Sequence, residues 1–191
     1  FDTCAFNVGN PERYAANRNA RKHAGSSLLT IDVDASGSKD LILGDIGATN
    51  MVLLTNSDVT PNLTSSNVTA VDTTFPSNNN STIPVDLLIF PAGYYLDVNN
   101  DTVKDLICST NQSTNVINDN NVWFYENNGA DNNPDFSFQN NSFLQDGMIE
   151  VGEGANPAFV DYNADGLLDI VVGSYGVFDT SNTPFYRASL W

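Results

Sequence analysis

The stretch Asp161-Tyr-Asn-Ala-Asp-Gly-Leu-Leu-Asp169 decides how this chain is interpreted. Counted from Asp161, oxygen-bearing side chains stand at positions 1, 3, 5 and 9, and a glycine stands at position 6. The apolar run Ile170-Val-Val-Gly173 follows at once. Alternate side chains that turn inward, with a glycine that permits a sharp bend, are typical of a loop that wraps a hard cation. The stretch therefore predicts a cation-binding loop that leads into a strand.

The same arrangement occurs twice more in the chain. The other copies are Asp32-Val-Asp-Ala-Ser-Gly-Ser-Lys-Asp40 and Asp97-Val-Asn-Asn-Asp-Thr-Val-Lys-Asp105, and an apolar run follows each. The first aspartates of successive copies are 65 and 64 residues apart. Aliphatic or aromatic residues also precede each loop, which gives the order strand, acidic loop, strand. A period this regular predicts a repeat architecture in which each unit packs against its neighbours.

Each loop offers oxygen ligands only, which suits calcium better than zinc or copper. Side chains are expected to ligate at positions 1, 3, 5 and 9, and the backbone carbonyl at position 7. The expected ligands are Asp32, Asp34, Ser36, Ser38 and Asp40 in the first loop, Asp97, Asn99, Asp101, Val103 and Asp105 in the second, and Asp161, Asn163, Asp165, Leu167 and Asp169 in the third. We expect up to three structural calcium ions, because the unliganded carboxylates would repel one another and loosen the loops.

Two departures from the pattern distinguish the loops. Position 5 of the first loop is the neutral Ser36, a weaker ligand than aspartate. Position 6 of the second loop is Thr102, where glycine is preferred. The sequence therefore predicts that loop 161–169 binds most strongly, followed by loop 97–105 and then loop 32–40.

Acidic side chains dominate the composition, with 23 Asp+Glu against 7 Lys+Arg and a formal net charge of −16. A nucleic-acid partner is not expected, because phosphate binding needs a basic surface. No stretch approaches the length of apolar sequence that spans a bilayer, so no transmembrane segment is expected. The 27 asparagines favour turns and left-handed backbone, which fits a loop-rich all-β protein.

Apolar runs are short throughout, and no helix-length amphipathic window occurs. We therefore expect an all-β fold with about four short strands per unit, as in the blades of a β-propeller. Residues 1–22 are expected to form an irregular arm or the end of a preceding blade, and residues 23–191 the repeats. The polar stretch 57–83 predicts a long surface connection, whereas 85–90, 143–144 and 148–149 predict strands.

These residues resemble the FG-GAP/VCBS repeat of integrin-α-like β-propellers. The resemblance is carried by the three loops, by Tyr125-Glu-Asn-Asn-Gly129 and by Pro134-Asp-Phe136. Segments such as His23-Ala-Gly-Ser-Ser and Ala92-Gly-Tyr-Tyr-Leu-Asp97 are similar to secreted Bacteroidetes proteins exported by the type IX secretion system. The resemblance implies a seven-bladed propeller, calcium in the blade loops and a C-terminal sorting domain. About three blades without a sorting domain lead us to expect a part of a larger protein.

Three functions are compatible with such a fold, since fold alone does not give function. The leading hypothesis is a non-catalytic, calcium-stabilised extracellular propeller for adhesion or protein interaction at the bacterial cell surface. A carbohydrate-binding module, or a propeller attached to a secreted enzyme, is the first alternative, because Tyr94, Tyr95, Trp123 and Tyr125 would stack on sugars if exposed. Their alternating positions favour core packing instead. The second alternative, a cargo or accessory component of a type IX secretion or gliding assembly, rests on the resemblance.

Catalysis is not expected, because it needs a convergent set of reactive groups. The chain has one histidine, His23, and no nucleophile motif.

Two covalent modifications are left open by the sequence. Cys4 and Cys108 allow at most one disulfide, but Cys108 lies in an apolar run and is better explained as a small buried hydrophobe. Asp72-Thr-Thr74 is similar to the Asp-Ser/Thr-apolar O-glycosylation signal of Bacteroidetes, which predicts a glycan on the 57–83 connection.

Overall fold

The protein is all-β in the residues that its computed structural model describes, which are 25–56, 66–77, 82–113, 116–178 and 186–190. No helix occurs in these ranges. The eleven strands of the described residues are β1 (Ser26–Ile31), β2 (Asp40–Asp45), β3 (Met51–Asn56), β4 (Val68–Phe75), β5 (Pro91–Leu96), β6 (Asp105–Thr110), β7 (Val122–Asn127), β8 (Phe136–Asn140), β9 (Asn156–Val160), β10 (Asp169–Phe178) and β11 (Tyr186–Leu190).

The strands form three antiparallel sheets in chain order. The first sheet has the order β1-β2-β3-β4, the second β5-β6-β7-β8, and the third β11-β10-β9. In each sheet the first two strands form a hairpin, and an acidic loop connects them. Ile31 pairs with Asp40, Leu96 with Asp105 and Val160 with Asp169. The expected order of strand, acidic loop, strand is therefore confirmed, and the four-stranded meanders are consistent with propeller blades.

The hydrophobic core lies between the first two sheets. Strand β2 alternates buried and half-buried residues, as a strand with one face in a core does. Ile42 and Met51 of the first sheet pack with Leu106 and Tyr125 of the second, and all four are fully buried. In contrast, every residue of β9 in the third sheet is exposed.

The core accounts for the burial of three of the four aromatic residues considered above and of Cys108. Tyr125 is fully buried, and the partly buried Tyr95 and Trp123 pack against the core. These three therefore confirm the prediction of core packing, whereas Tyr94 is 51% exposed. Cys108 is a free, buried thiol whose Sγ lies 3.7 Å from Sδ of Met51, as expected of a small hydrophobe.

Three local predictions were wrong. The 57–83 stretch contains strand β4, an edge strand whose residues are mostly exposed, so its polar composition resembled that of a loop. Residues 85–90 form no strand, although Val85 and Leu87 are buried. They make single hydrogen bonds, from Val85 N–H to the Phe75 carbonyl at 3.2 Å and from Leu87 N–H to the Thr49 carbonyl at 2.8 Å, rather than a ladder.

Residues 143–147 form turns, and 148–149 lie outside any strand. The predicted arm, residues 1–22, as well as Cys4 and His23, lie outside the described residues. No helix in the described ranges is long and apolar enough to cross a membrane.

Candidate metal centres

The three acidic loops share one backbone path. Positions 4 and 6 are in the left-handed region in every loop. The φ angles at position 4 are 57° for Ala35, 64° for Asn100 and 61° for Ala164, and those at position 6 are 85° for Gly37, 77° for Thr102 and 86° for Gly166. The glycine at position 6 was expected to permit this bend, but the bend at position 4 gave no signal in the sequence, because alanine occupies it twice. The three loops therefore have the same backbone conformation at these two positions.

The aspartate at position 1 closes each loop from within. One carboxylate oxygen accepts the backbone N–H of position 6 in all three cases. The distances are 3.0 Å from Gly37 to Asp32, 3.0 Å from Thr102 to Asp97 and 2.9 Å from Gly166 to Asp161. These bonds turn the loop around the carboxylate and thereby bring the oxygen-bearing side chains together.

The aspartate at position 9 ties the end of the loop to its beginning. Its Oδ2 accepts the backbone N–H of position 2, at 2.8 Å for Asp40, 3.3 Å for Asp105 and 2.9 Å for Asp169. Asp40 and Asp105 are fully buried. A buried carboxylate needs partners for its oxygens, and these backbone donors supply part of that need.

An asparagine at the end of the third strand completes the position-9 site in the first two sheets. Asn56 donates its backbone N–H to Oδ1 of Asp40 at 2.7 Å, and its Nδ2 to the Lys39 carbonyl at 3.3 Å. Asn127 makes the same two bonds, to Oδ1 of Asp105 at 3.0 Å and to the Lys104 carbonyl at 3.0 Å. Sequence reasoning missed both asparagines. The available signal was that each ends the strand that pairs with the second strand of its unit.

The carboxylates converge most closely in the first loop. One oxygen from each of Asp32, Asp34 and Asp40 lies within 4.8 Å of the others. Among the described residues, this is the one group of three acidic side chains whose oxygens lie this close together. It falls in the loop that was expected to bind calcium least strongly. The group includes position 3, which is an aspartate in this loop and an asparagine in the other two.

In the second and third loops the position-3 amide faces the position-5 carboxylate. Asn99 donates Nδ2 to Oδ2 of Asp101 at 2.9 Å, and Asn163 donates to Asp165 at the same distance. The amide oxygens accept the position-5 backbone N–H groups. Both asparagines therefore lie beside their expected co-ligands, with the amide oxygen inside the loop.

The remaining predicted ligands differ in exposure. Ser36 Oγ accepts the Ser38 backbone N–H at 3.2 Å, so positions 5 and 7 of the first loop are adjacent. Ser38 is buried, Val103 is half-buried, and Leu167 is 70% exposed. The first loop is thus the most enclosed of the three sites.

The donor chemistry of the loops fits a calcium ion. The side chains that the loops offer carry carboxylate, amide and hydroxyl oxygens, which hard divalent cations prefer. The three converging carboxylates of the first loop repel one another when ionised, and a divalent ion would reduce this repulsion.

A comparison with protein families covers the second and third loops. Residues 97–172 match the model of the FG-GAP-like repeat family. No curated protein and no solved structure matches the chain significantly. The matched stretch contains both loops, strands β6 to β9 and the first residues of β10. The match therefore supports the FG-GAP family for this part of the chain, which holds two of the three acidic loops.

Proposed function

We propose that this chain is a calcium-stabilised segment of a non-catalytic, extracellular β-propeller that serves adhesion or protein interaction. The observation that carries the proposal is the convergence of Asp32, Asp34 and Asp40 within 4.8 Å, in a loop whose backbone path recurs twice more. The FG-GAP-like match over residues 97–172 supports the same reading of the other two loops. Placement at a bacterial cell surface, through type IX export, is part of the proposal and rests on the resemblance of sequence motifs.

The ion would act as a structural clamp on each hairpin. Position 1 follows the first strand of the hairpin directly, and position 9 begins the second strand. A cation held by both carboxylates would fix the two strand ends to each other. Because the unfolded chain has no such site, the binding free energy adds to folding stability, by about 2.7 kcal/mol per site at a free calcium concentration about 100 times Kd.

The absence of catalysis is part of this proposal. The loop aspartates at positions 1 and 9 accept backbone N–H groups, so they are held as structural acceptors. Two clefts in the described residues, one beside Trp123 and one beside Phe136, have volumes of about 90 Å³ each. Substrate pockets are typically about 300 Å³ or larger. The hydrogen bonds of the loop aspartates are what supports the non-catalytic part of the proposal.

A sugar-binding function is the weaker candidate. It requires exposed aromatic rings, and Trp123 instead packs edge-on against Phe138 with ring centroids 5.3 Å apart. Of the four aromatic residues named for this role, Tyr94 is the one that is mostly exposed, at 51%. A glycan array with Tyr94→Ala as the control tests it: reproducible binding that this variant abolishes would favour the sugar-binding module.

Thermal unfolding of the whole chain tests the calcium proposal. Calcium is expected to raise the melting temperature in a concentration-dependent way, and EGTA is expected to reverse the effect. Magnesium at the same ionic strength is the control, because it demands a smaller octahedral site and binds such loops less well. A melting temperature that is the same in calcium and in EGTA would refute the structural role.

A further inference from the structure

A tight turn at the tip of the β7–β8 hairpin lies between two of the acidic loops. We call residues 130–133 the 130–133 turn. Ala130 and Asn133 close it with two backbone hydrogen bonds, of 3.1 Å from Ala130 N–H and 3.0 Å from Asn133 N–H. Its position is fixed at the base by Asn127, whose Oδ1 accepts the N–H groups of Gly129 and Asp135 at 2.9 Å each. These hydrogen bonds fasten the turn to the second sheet.

Asp131 joins this turn to the second loop. Its Oδ1 accepts the backbone N–H of Lys104, at position 8 of loop 97–105, at 2.8 Å. Its Oδ2 lies 3.4 Å from Nζ of Lys104. Its backbone carbonyl accepts the hydroxyl of Tyr95 at 3.1 Å. Lys104 directly precedes the position-9 ligand Asp105, so the turn holds the end of the second loop in place.

Asn132 joins the same turn to the first loop, in the neighbouring sheet. Its backbone carbonyl accepts the N–H of Ala35 at 2.8 Å. Ala35 is position 4 of loop 32–40 and has a φ of 57°, so this bond supports one of the two left-handed residues that shape the loop. Within the described residues, the hydrogen bonds that shape loop 161–169 join residues of the loop itself.

We propose that the 130–133 turn makes calcium binding at loops 32–40 and 97–105 mutually dependent. An ion in the first loop fixes the left-handed conformation of Ala35 and thereby the position of Asn132. The adjacent Asp131 is then held where it accepts the Lys104 N–H, so the second loop loses less conformational freedom when it binds its own ion. Linkage requires the reverse effect to be equal. This inference rests on the proposed calcium binding.

A site-resolved calcium titration of the whole chain tests the coupling. The readout is the backbone amide signals of Gly37 and Thr102, each of which donates to a position-1 carboxylate. Asp34→Ala removes an exposed ligand of the first loop. This substitution is expected to weaken calcium binding in loop 97–105, read from the Thr102 amide, by about fivefold or more. Fivefold is the lower bound of typical allosteric coupling. In an Asp131→Ala background, the same substitution is expected to leave the calcium affinity of loop 97–105 unchanged, since the side-chain bonds from Asp131 to Lys104 are gone.

Asp119→Ala serves as the control for the loss of one negative charge. Asp119 is exposed and lies in the 118–120 bend, so its removal is expected to change neither affinity. If Asp34→Ala leaves the first loop able to bind, Asp34→Lys places an ammonium group at the same exposed position and excludes the ion.

The outcomes separate the coupling from the calcium function. In one outcome, both loops of the unmodified chain bind calcium, and the Asp34 substitution leaves the affinity of loop 97–105 unchanged. This outcome would overturn the coupling but not the calcium role. A titration that moves neither amide would overturn both. If the Asp34 substitution still weakens calcium binding in loop 97–105 in the Asp131→Ala background, the role of the turn is overturned as well.

Discussion

Asn127 donates its backbone N–H to Oδ1 of Asp105 at 3.0 Å, while its side chain makes four further hydrogen bonds. The Nδ2 group donates to the Lys104 carbonyl and to the Tyr95 hydroxyl, and Oδ1 accepts two N–H groups of the following hairpin. Asn127 is only 3% exposed. One amide thus ties the end of the second acidic loop to the third and fourth strands of its sheet.

Replacement of this amide is the first prediction. Asn127→Ala is expected to lower the free energy of unfolding by about 2–3 kcal/mol, because it leaves buried donors and an acceptor without partners. Urea unfolding in saturating calcium measures the loss. The neighbouring Asn128 is exposed and makes one side-chain bond, to Ser137 Oγ, so Asn128→Ala is expected to cost about 0.5 kcal/mol or less. Equal losses in the two variants would contradict the role of Asn127.

The part of the site that could be predicted from the sequence lies within single loops of nine consecutive residues. Positions 1, 3, 5, 6 and 9 follow from side-chain chemistry and glycine conformation within nine residues. The hydrogen bonds from Asn56 and Asn127 to the position-9 aspartates could not be predicted in this way. Asn56 follows Asp40 by 16 residues, whereas Asn127 follows Asp105 by 22. The intervening turns differ in length, and only the strand pairing brings each asparagine to its aspartate. The contact between Ala35 and Asn132 depends on the packing of two sheets, which no local pattern encodes.

The second prediction separates two roles of the loop aspartates, the hydrogen bonds that they accept from the backbone and the cation that they would bind. Asp40 is fully buried and both its oxygens accept backbone N–H groups, from Val33 and Asn56. In Asp40→Asn, the new NH2 group would face one of these donors, so we expect a loss of about 2–3 kcal/mol even in EGTA. Asp34 is exposed, and an asparagine there keeps the oxygen that accepts the Ser36 N–H. Asp34→Asn is therefore expected to cost about 0.5 kcal/mol or less in EGTA.

The calcium dependence completes this comparison. Asp34→Asn is expected to reduce the stabilisation by added calcium, because it removes a charged ligand. Chemical unfolding of both variants with calcium and with EGTA gives the four values. If the two variants lose the same stability in EGTA, the hydrogen bonds of Asp40 do not have the structural role assigned to them.

The third prediction concerns Thr102, a β-branched residue with a φ of 77°. The left-handed region costs such a residue about 1–2 kcal/mol, and glycine adopts it freely. Thr102→Gly is expected to stabilise the chain by about 0.5–1 kcal/mol, since the greater freedom of glycine in the unfolded state offsets part of the gain. The reverse change in the third loop, Gly166→Ala, is expected to destabilise, and its Cβ would meet no atom within 4 Å, so the cost is conformational. A loss of stability in Thr102→Gly would refute this account.

The fourth prediction is a pH dependence centred on Tyr95. Burial and the neighbouring Asp131 carboxylate raise the pKa of Tyr95 from 10.0 to about 12. The folded state therefore keeps a proton that the unfolded state releases, and stability is expected to fall as pH rises from about 10 to about 12. Below pH 10 this contribution is fully present. Burial also raises the pKa of Tyr125 and of Cys108, and both act in the same direction.

Tyr95→Phe isolates the contribution of this hydroxyl. The variant is expected to unfold in urea with a shallower pH dependence between pH 10 and 12 than the unmodified chain, because one titrating group is gone. Its stability below pH 10 is expected to fall as well, since the hydrogen bond to the Asp131 carbonyl is lost. Parallel pH profiles for the two proteins would show that Tyr95 does not titrate with folding.

The fifth prediction concerns the close approach of the first two sheets at Gly44. A Cβ at Gly44 of β2 would lie 1.8 Å from the carbonyl oxygen of Pro91 in β5, which also accepts a hydrogen bond from Ser27 Oγ at 2.7 Å. Gly44→Ala is therefore expected to cost about 3 kcal/mol, because backbone rather than a flexible side chain must move. Gly173 occupies the same place after the third loop, and a Cβ there meets no atom within 4 Å.

Gly173→Ala is the matched control for this contact. It is expected to be neutral or to stabilise slightly, since alanine restricts the unfolded chain and meets no obstacle in the folded one. Urea unfolding of both variants measures the difference. Of these two glycines, Gly44 alone faces a strand of the neighbouring sheet at this distance, so a large loss confined to Gly44→Ala would show that the first two sheets pack in solution as described. A neutral Gly44→Ala would mean that they do not.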